Sequence, residues 1–123
     1  MARIRKTAEG LTLKQVAALL GVSARRVQYV REIGIVQPVE VGVGRGHFCR
    51  YSEADIKWLY LVLIELEDVD YRVSRKIVEA AKETSKGKLV ARLGESIFLH
   101  VDLAKLETEM DEVWARPANP LLD

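Results

Sequence analysis

The sequence predicts a mainly α fold with a small β component, and three observations carry that expectation. Two short helical patterns meet at Gly21, each opened by a hydroxyl-bearing residue. Two stretches alternate on either side of turn-forming residues, one around Gly42–Gly46 and one around Gly94-Glu95, and read as β-hairpins. Elsewhere apolar residues recur at helical spacing, in a chain that is 49% hydrophobic with only three prolines. At 123 residues such a chain buries a core of its own, and its composition argues against disorder.

Residues 1–10 form a short basic arm, read either as a phosphate contact through Arg3 and Arg5 or as a frayed terminus. Thr12 opens the first helix, with Gln15 completing a capping box. Leu13, Val16, Ala17 and Leu20 give that helix one buried face, and Gly21 ends it. Ser23 caps the second helix. Val27 and Val30 form its apolar floor, while Arg25, Arg26, Gln28 and Tyr29 point outward. Gly34 and Pro38 stop it. This is a helix-turn-helix in sequence form.

Residues 39–51 then alternate around a glycine-rich tip that carries Arg45 and His47. Ser52 caps a third helix, with Asp55 three residues on. Its apolar residues Ile56, Leu59, Tyr60, Leu63, Ile64 and Leu66 fill more than one stripe, so it is expected to be the buried spine of the domain.

Charge is segregated along this plan. Residues 1–52 carry +6 and residues 53–123 carry −5, a contrast hidden in the net +1. An anion-seeking front half joined to an acidic back half suggests two jobs. Arginines on one short helix are usually only a solvated face. Placed on the second helix of a helix-turn-helix, beside a basic hairpin, long donors and a phenol have the chemistry for a major groove, which is about 12 Å wide and admits one helix.

Residues 11–67 resemble the DNA-binding domain of the mercury-resistance-regulator (MerR) family. The matching residues are Leu11-Thr12, Val16-Ala17, Gly21-Val22-Ser23, Arg25, Val27, Tyr29 and Gly34, followed after the hairpin by Tyr51-Ser52-Glu53 and Asp55-Ile56. The resemblance implies a winged helix-turn-helix, with the second helix in the major groove of double-stranded DNA and the wing on the backbone. It also implies a homodimer reading two half-sites. By position it assigns Ser23 and Arg25 to phosphates and base edges, Tyr29 to the backbone, and Arg45 and Arg50 to wing–phosphate contacts. Arg3, Arg5, Lys14, Arg26, Gln28 and His47 complete the expected DNA-binding set. Gln28, Val30 and Arg31 depart from the family, which often has arginine, a second aromatic and glutamate there. Gln28 suits adenine N6/N7 where arginine favours guanine or phosphate.

After the spine the chain departs further. Glu65, Glu67, Asp68 and Asp70 form an acidic connection expected to face away from DNA. A helix follows through Val73, Ile77, Ala80 and Ala81, stopping near Gly87. The long dimer-forming helix common in the family is absent. Instead, Lys88–Leu93 and Ser96–Val101 read as strands around a two-residue turn at Gly94-Glu95, with Leu89, Ala91, Leu93, Ile97, Leu99 and Val101 sharing one face. Asp102 caps a last helix containing Leu103, Leu106, Met110, Val113 and Trp114, which Pro117 ends.

Residues 1–69 are therefore read as the DNA-binding domain and 70–123 as a dimerisation unit. There the last helix covers one face of the hairpin, while the other face or a free edge meets a second subunit. The alternative is that hairpin and helix pack back onto the spine within a monomer.

Other classes find little support. No apolar run approaches the roughly 18 residues of a membrane span, and no apolar region follows the basic N-terminus. A single cysteine excludes an internal disulfide and fits a reducing, cytoplasmic compartment. His47, Cys49 and His100 do not assemble a metal site, and no nucleophile–base set is present, so neither enzyme nor cofactor is expected. The expected function is a sequence-specific transcriptional regulator with possible contact to the transcription machinery. The alternatives are an excisionase-like architectural factor and a protein-interaction module resembling chaperone modulators.

Overall fold

A computed structural model describes residues 4, 6, 9–41, 48–84 and 87–116. Five α-helices and two antiparallel hairpins follow in the order α1 (Leu13–Leu20), α2 (Ala24–Glu32), β1 (Val39–Val41), β2 (Phe48–Arg50), α3 (Glu53–Tyr60), α4 (Tyr71–Glu83), β3 (Lys88–Arg92), β4 (Phe98–Asp102) and α5 (Leu103–Ala115). The mainly α architecture with small β is as expected.

Local chemistry places the first three helices. Thr12 and Gln15 form the capping box of α1, and Ser52 and Asp55 form that of α3. Gly21 ends α1 at φ 70°, and the N–H of Val22 reaches back to the Ala17 carbonyl. Gly34, at φ 82°, ends α2 in the same way, with its N–H on the Arg31 carbonyl and that of Ile35 on the Val30 carbonyl. This double closure satisfies two carbonyls that a helix end otherwise orphans.

The spine is not one uniform helix. After Tyr60 it widens into a π-helical turn over Leu61–Glu65, with Leu66 N–H bonding the Leu61 carbonyl at 2.8 Å. Asp70, in the acidic connection, caps α4 by accepting from Arg72 N–H at 2.8 Å.

The first hairpin gains a third element. Leu11 and Tyr51 exchange backbone hydrogen bonds of 2.9 and 2.8 Å, so the start of α1 is stitched to the end of β2. Gly10 makes the approach possible: it stands at φ 87°, and a Cβ there would lie 2.6 Å from the Tyr51 carbonyl oxygen. Of the N-terminal arm, Ile4 packs on the core and Lys6 pairs with Glu53 at 2.8 Å. Arg3, Arg5, the glycine-rich hairpin tip and Pro117 lie outside the described residues.

The second hairpin corrects two expectations. The strands are Lys88–Arg92 and Phe98–Asp102, paired Leu89 with Val101 and Ala91 with Leu99. The connection is longer than the two-residue turn at Gly94-Glu95, because Ile97 O accepts from both Leu93 and Gly94 and closes the loop further out. Leu89 and Ala91 are buried, but Leu93 and Ile97, at the end of the same face, are 39% and 60% exposed. The hairpin extends beyond what covers it.

Helix α5 lies on the spine as well as beside β3. Lys57 pairs with Glu107 at 2.7 Å, and Tyr60 Oη donates to Glu109 at 2.8 Å. Beneath them Leu106, Met110, Val113 and Trp114 join Ile56, Leu59 and Leu63 in a single buried cluster that also takes in Val16, Val27 and Ile77. The last helix and the spine thus pack together within the chain, and the hairpin's other face stays open, with Val90 51% and Phe98 53% exposed.

Candidate nucleic-acid interface

Helix α2 holds its place because its floor is fully buried. Val27 and Val30 show no exposed surface, so the position where the family often has an aromatic is core here. Arg25, Gln28 and Tyr29 are exposed on the opposite side, as the helical spacing predicted. Lys14, on α1, is exposed too. Ser23 is exposed, and its hydroxyl accepts the Arg26 N–H at 3.2 Å.

Arg26 is placed differently from its neighbour. It is half-buried, and its guanidinium donates to the Leu63 carbonyl at 3.2 Å. That carbonyl belongs to the last turn of the spine, where helical partners run out. A cation there also meets the negative end of the helix dipole. Arg26 therefore ties the start of α2 to the end of the spine.

The far end of α2 is held from α4. Arg75 donates to the carbonyl of Ile33, the residue that caps α2, and the Tyr71 ring meets Tyr29 edge-on with centroids 5.1 Å apart. Sequence reasoning had no role for either residue. Their positions at the N-terminal end of an amphipathic helix carried no distinguishing signal.

The wing is coupled to α2 by a pair that the sequence reading left separate. Arg31 Nη1 donates to Cys49 Sγ at 2.9 Å, joining the outer half of α2 to β2. Beside them Tyr51 is 1% exposed, and burial, with the neighbouring Cys49 adding to it, pushes its phenol up to about 12. Thr12, Lys14, Gln28 and Arg31 border a hollow between α1, α2 and the wing strand. Arg50 lies on β2, half-buried. Arg45 and His47, at the wing tip, fall outside the described residues.

Two short helices joined through a left-handed glycine, with a two-stranded wing braced against the second, define a winged helix-turn-helix. Residues 11–74, more than half of the chain, match the family model described as MerR HTH family regulatory protein. The chain belongs to that family. A search of curated proteins returns no match. Among the described residues, no group of three or more His, Cys, Asp or Glu could hold a metal ion, and no helix is long and apolar enough to cross a membrane.

Proposed function

We propose that the protein is a sequence-specific regulator that binds double-stranded DNA as a homodimer, in the cytoplasm and without enzymatic activity. The carrying observation is that α2, in a MerR-family domain, exposes Arg25, Gln28 and Tyr29 while Arg26 and Arg75 anchor its two ends. Arg25 and Gln28 read base edges, Arg25 favouring guanine and Gln28 favouring adenine. Tyr29, Lys14, Ser23 and Arg50 approach the backbone, with Arg45, His47, Arg3 and Arg5 extending the phosphate contacts. Residues 1–69 do the reading. Residues 70–123 set the distance between two copies and so select the half-site spacing.

Selection of bound duplexes from a random pool, at near-physiological salt, tests this. A two-fold symmetric motif is the expected result. Tandem direct repeats would favour an architectural accessory factor, and binding without enrichment that vanishes as salt rises would refute specific readout.

A further inference from the structure

Among the described residues the β3–β4 ribbon pairs with no other strand, which leaves two strand edges without a β partner there, a state that proteins seldom leave exposed. The phase of its ladder is fixed at both ends. Leu93 N–H bonds the Ile97 carbonyl at 2.9 Å, and Leu103 N–H bonds the Gly87 carbonyl at 3.0 Å. Bonded pairs alternate along an antiparallel ladder. The backbone groups of Leu99 and Val101 therefore turn toward β3, and those of Phe98 and His100 turn outward.

Charge separates the two edges. On the outer edge of β3, symmetric pairing about Val90 would set Lys88 against Arg92 of the partner subunit, cation against cation. On β4, symmetric pairing about His100 sets Phe98 against Asp102 of the partner subunit and Leu99 against Val101 of the partner subunit. It also brings the exposed Ile97 opposite Leu103 of the partner subunit.

A second observation points to the same edge. Between β4 and the spine lies an open groove of about 290 Å³, walled by Leu61, Leu66, Leu99, Val101 and Leu106 with carboxylates beside them. Leu99 and Val101 are only half-buried there. A strand added to β4 would project its own inner-face residues over this groove.

We propose that β4 pairs with β4 of a second copy, antiparallel and centred on His100, so that two hairpins become one four-stranded sheet that roofs the groove in each subunit. Three or more strands with an apolar face reach the stability that an isolated ribbon lacks. The proposal rests on the homodimer reading above and names its interface.

Full-length His100→Cys tests it. Bonded antiparallel partners stand about 5.5 Å apart at Cα, within the span a disulfide bridges. Mild oxidation should yield a covalent dimer that peptide mapping assigns to position 100, whereas Val90→Cys, directly across the ribbon, should not crosslink. Equal crosslinking at position 90 would overturn the proposal. So would a His100→Cys protein that stays uncrosslinked while the parent sediments as a dimer, an outcome that leaves the dimeric DNA reading standing. A parent that sediments as a monomer both free and on a two-fold site would sink both.

His100→Pro is the second variant. It removes an outward N–H without touching the β3–β4 ladder. It should raise the dimer dissociation constant about tenfold or more, with the far-ultraviolet spectrum preserved. An unchanged constant in that folded variant would refute the pairing.

Discussion

Arg25 and Arg26 are neighbours of the same residue type, and the structure places them differently, Arg25 exposed and Arg26 bonded to the spine. Replacing Arg26 with alanine removes the partner of the Leu63 carbonyl at the end of the spine. Hydrogen bonds from charged donors contribute about 1.5–3 kcal/mol. Because Arg26 is only half-buried, solvent screening reduces this to about 1–1.5 kcal/mol. For a chain of 123 residues the melting entropy is about 0.26 kcal/mol/K, so the melting temperature should fall by about 4–6 °C.

Arg25→Ala removes an exposed side chain that makes no hydrogen bond among the described residues, and should leave the melt within about 0.5 kcal/mol of the parent. It should instead weaken specific DNA binding by about 1–3 kcal/mol and relax discrimination at one base position. Thermal melts by circular dichroism, paired with binding measured well below either midpoint, separate the two effects. An Arg26→Ala protein that melts like the parent yet loses as much specific affinity as Arg25→Ala would refute the reasoning. The guanidinium would then be leaving Leu63 for the DNA.

Further outcomes follow from other contacts. Arg45→Ala should weaken specific and random duplexes alike and flatten the salt dependence by about one unit of logarithmic slope, as titrations at several salt concentrations will report. Gly10→Ala forces a side chain into the left-handed region and against the Tyr51 carbonyl, and denaturant unfolding should show a loss of about 2–4 kcal/mol with base preference unchanged. Glu65→Gln probes the carboxyl pair on the spine and α5. A hydrogen bond with Glu109, then burial, raises Glu65 above the usual carboxylate range, while the same bond lowers Glu109. The stabilisation from a raised group is complete below its ordinary value and is lost as pH rises through the raised one. Glutamine donates to Glu109 without titrating, so the variant should match the parent in mild acid and exceed it by about 0.5 kcal/mol near neutrality. A difference that does not change with pH would count against the Glu65–Glu109 hydrogen bond as the cause.

Much of the first half was legible because its signals are local. Thr12 with Gln15, Ser23, Gly34, and Ser52 with Asp55 each fix a helix end through bonds spanning a few residues, and each is found where the pattern placed it. What the sequence did not reveal depends on distant partners. No local rule joins Arg26 to a carbonyl 37 residues away, Arg31 to Cys49, or Arg75 to Ile33. Asp70 was hidden among like charges, although aspartate before a helical run is an ordinary cap. Gly10 was overlooked because its requirement comes from Tyr51, in another element. The turn at Gly94 misled because a glycine beside a polar residue favours a short hairpin, whereas the bonds to Ile97 O close a wider loop.

The wide turn at Leu61–Glu65 has a consequence for how the two halves of the chain tolerate insertion and deletion. A π turn holds one residue more than the α turn it replaces, and each residue of an α-helix advances the direction of the chain by about 100°. Everything after Leu66, including the caps and clamps through which Asp70, Tyr71 and Arg75 reach their targets, departs from the spine at an angle set by that extra residue. Deleting one residue from this turn would make a more regular helix and aim α4 away from the end of α2. The spine thus acts as a phase standard, and a change that improves local regularity there would disconnect α2 from its support.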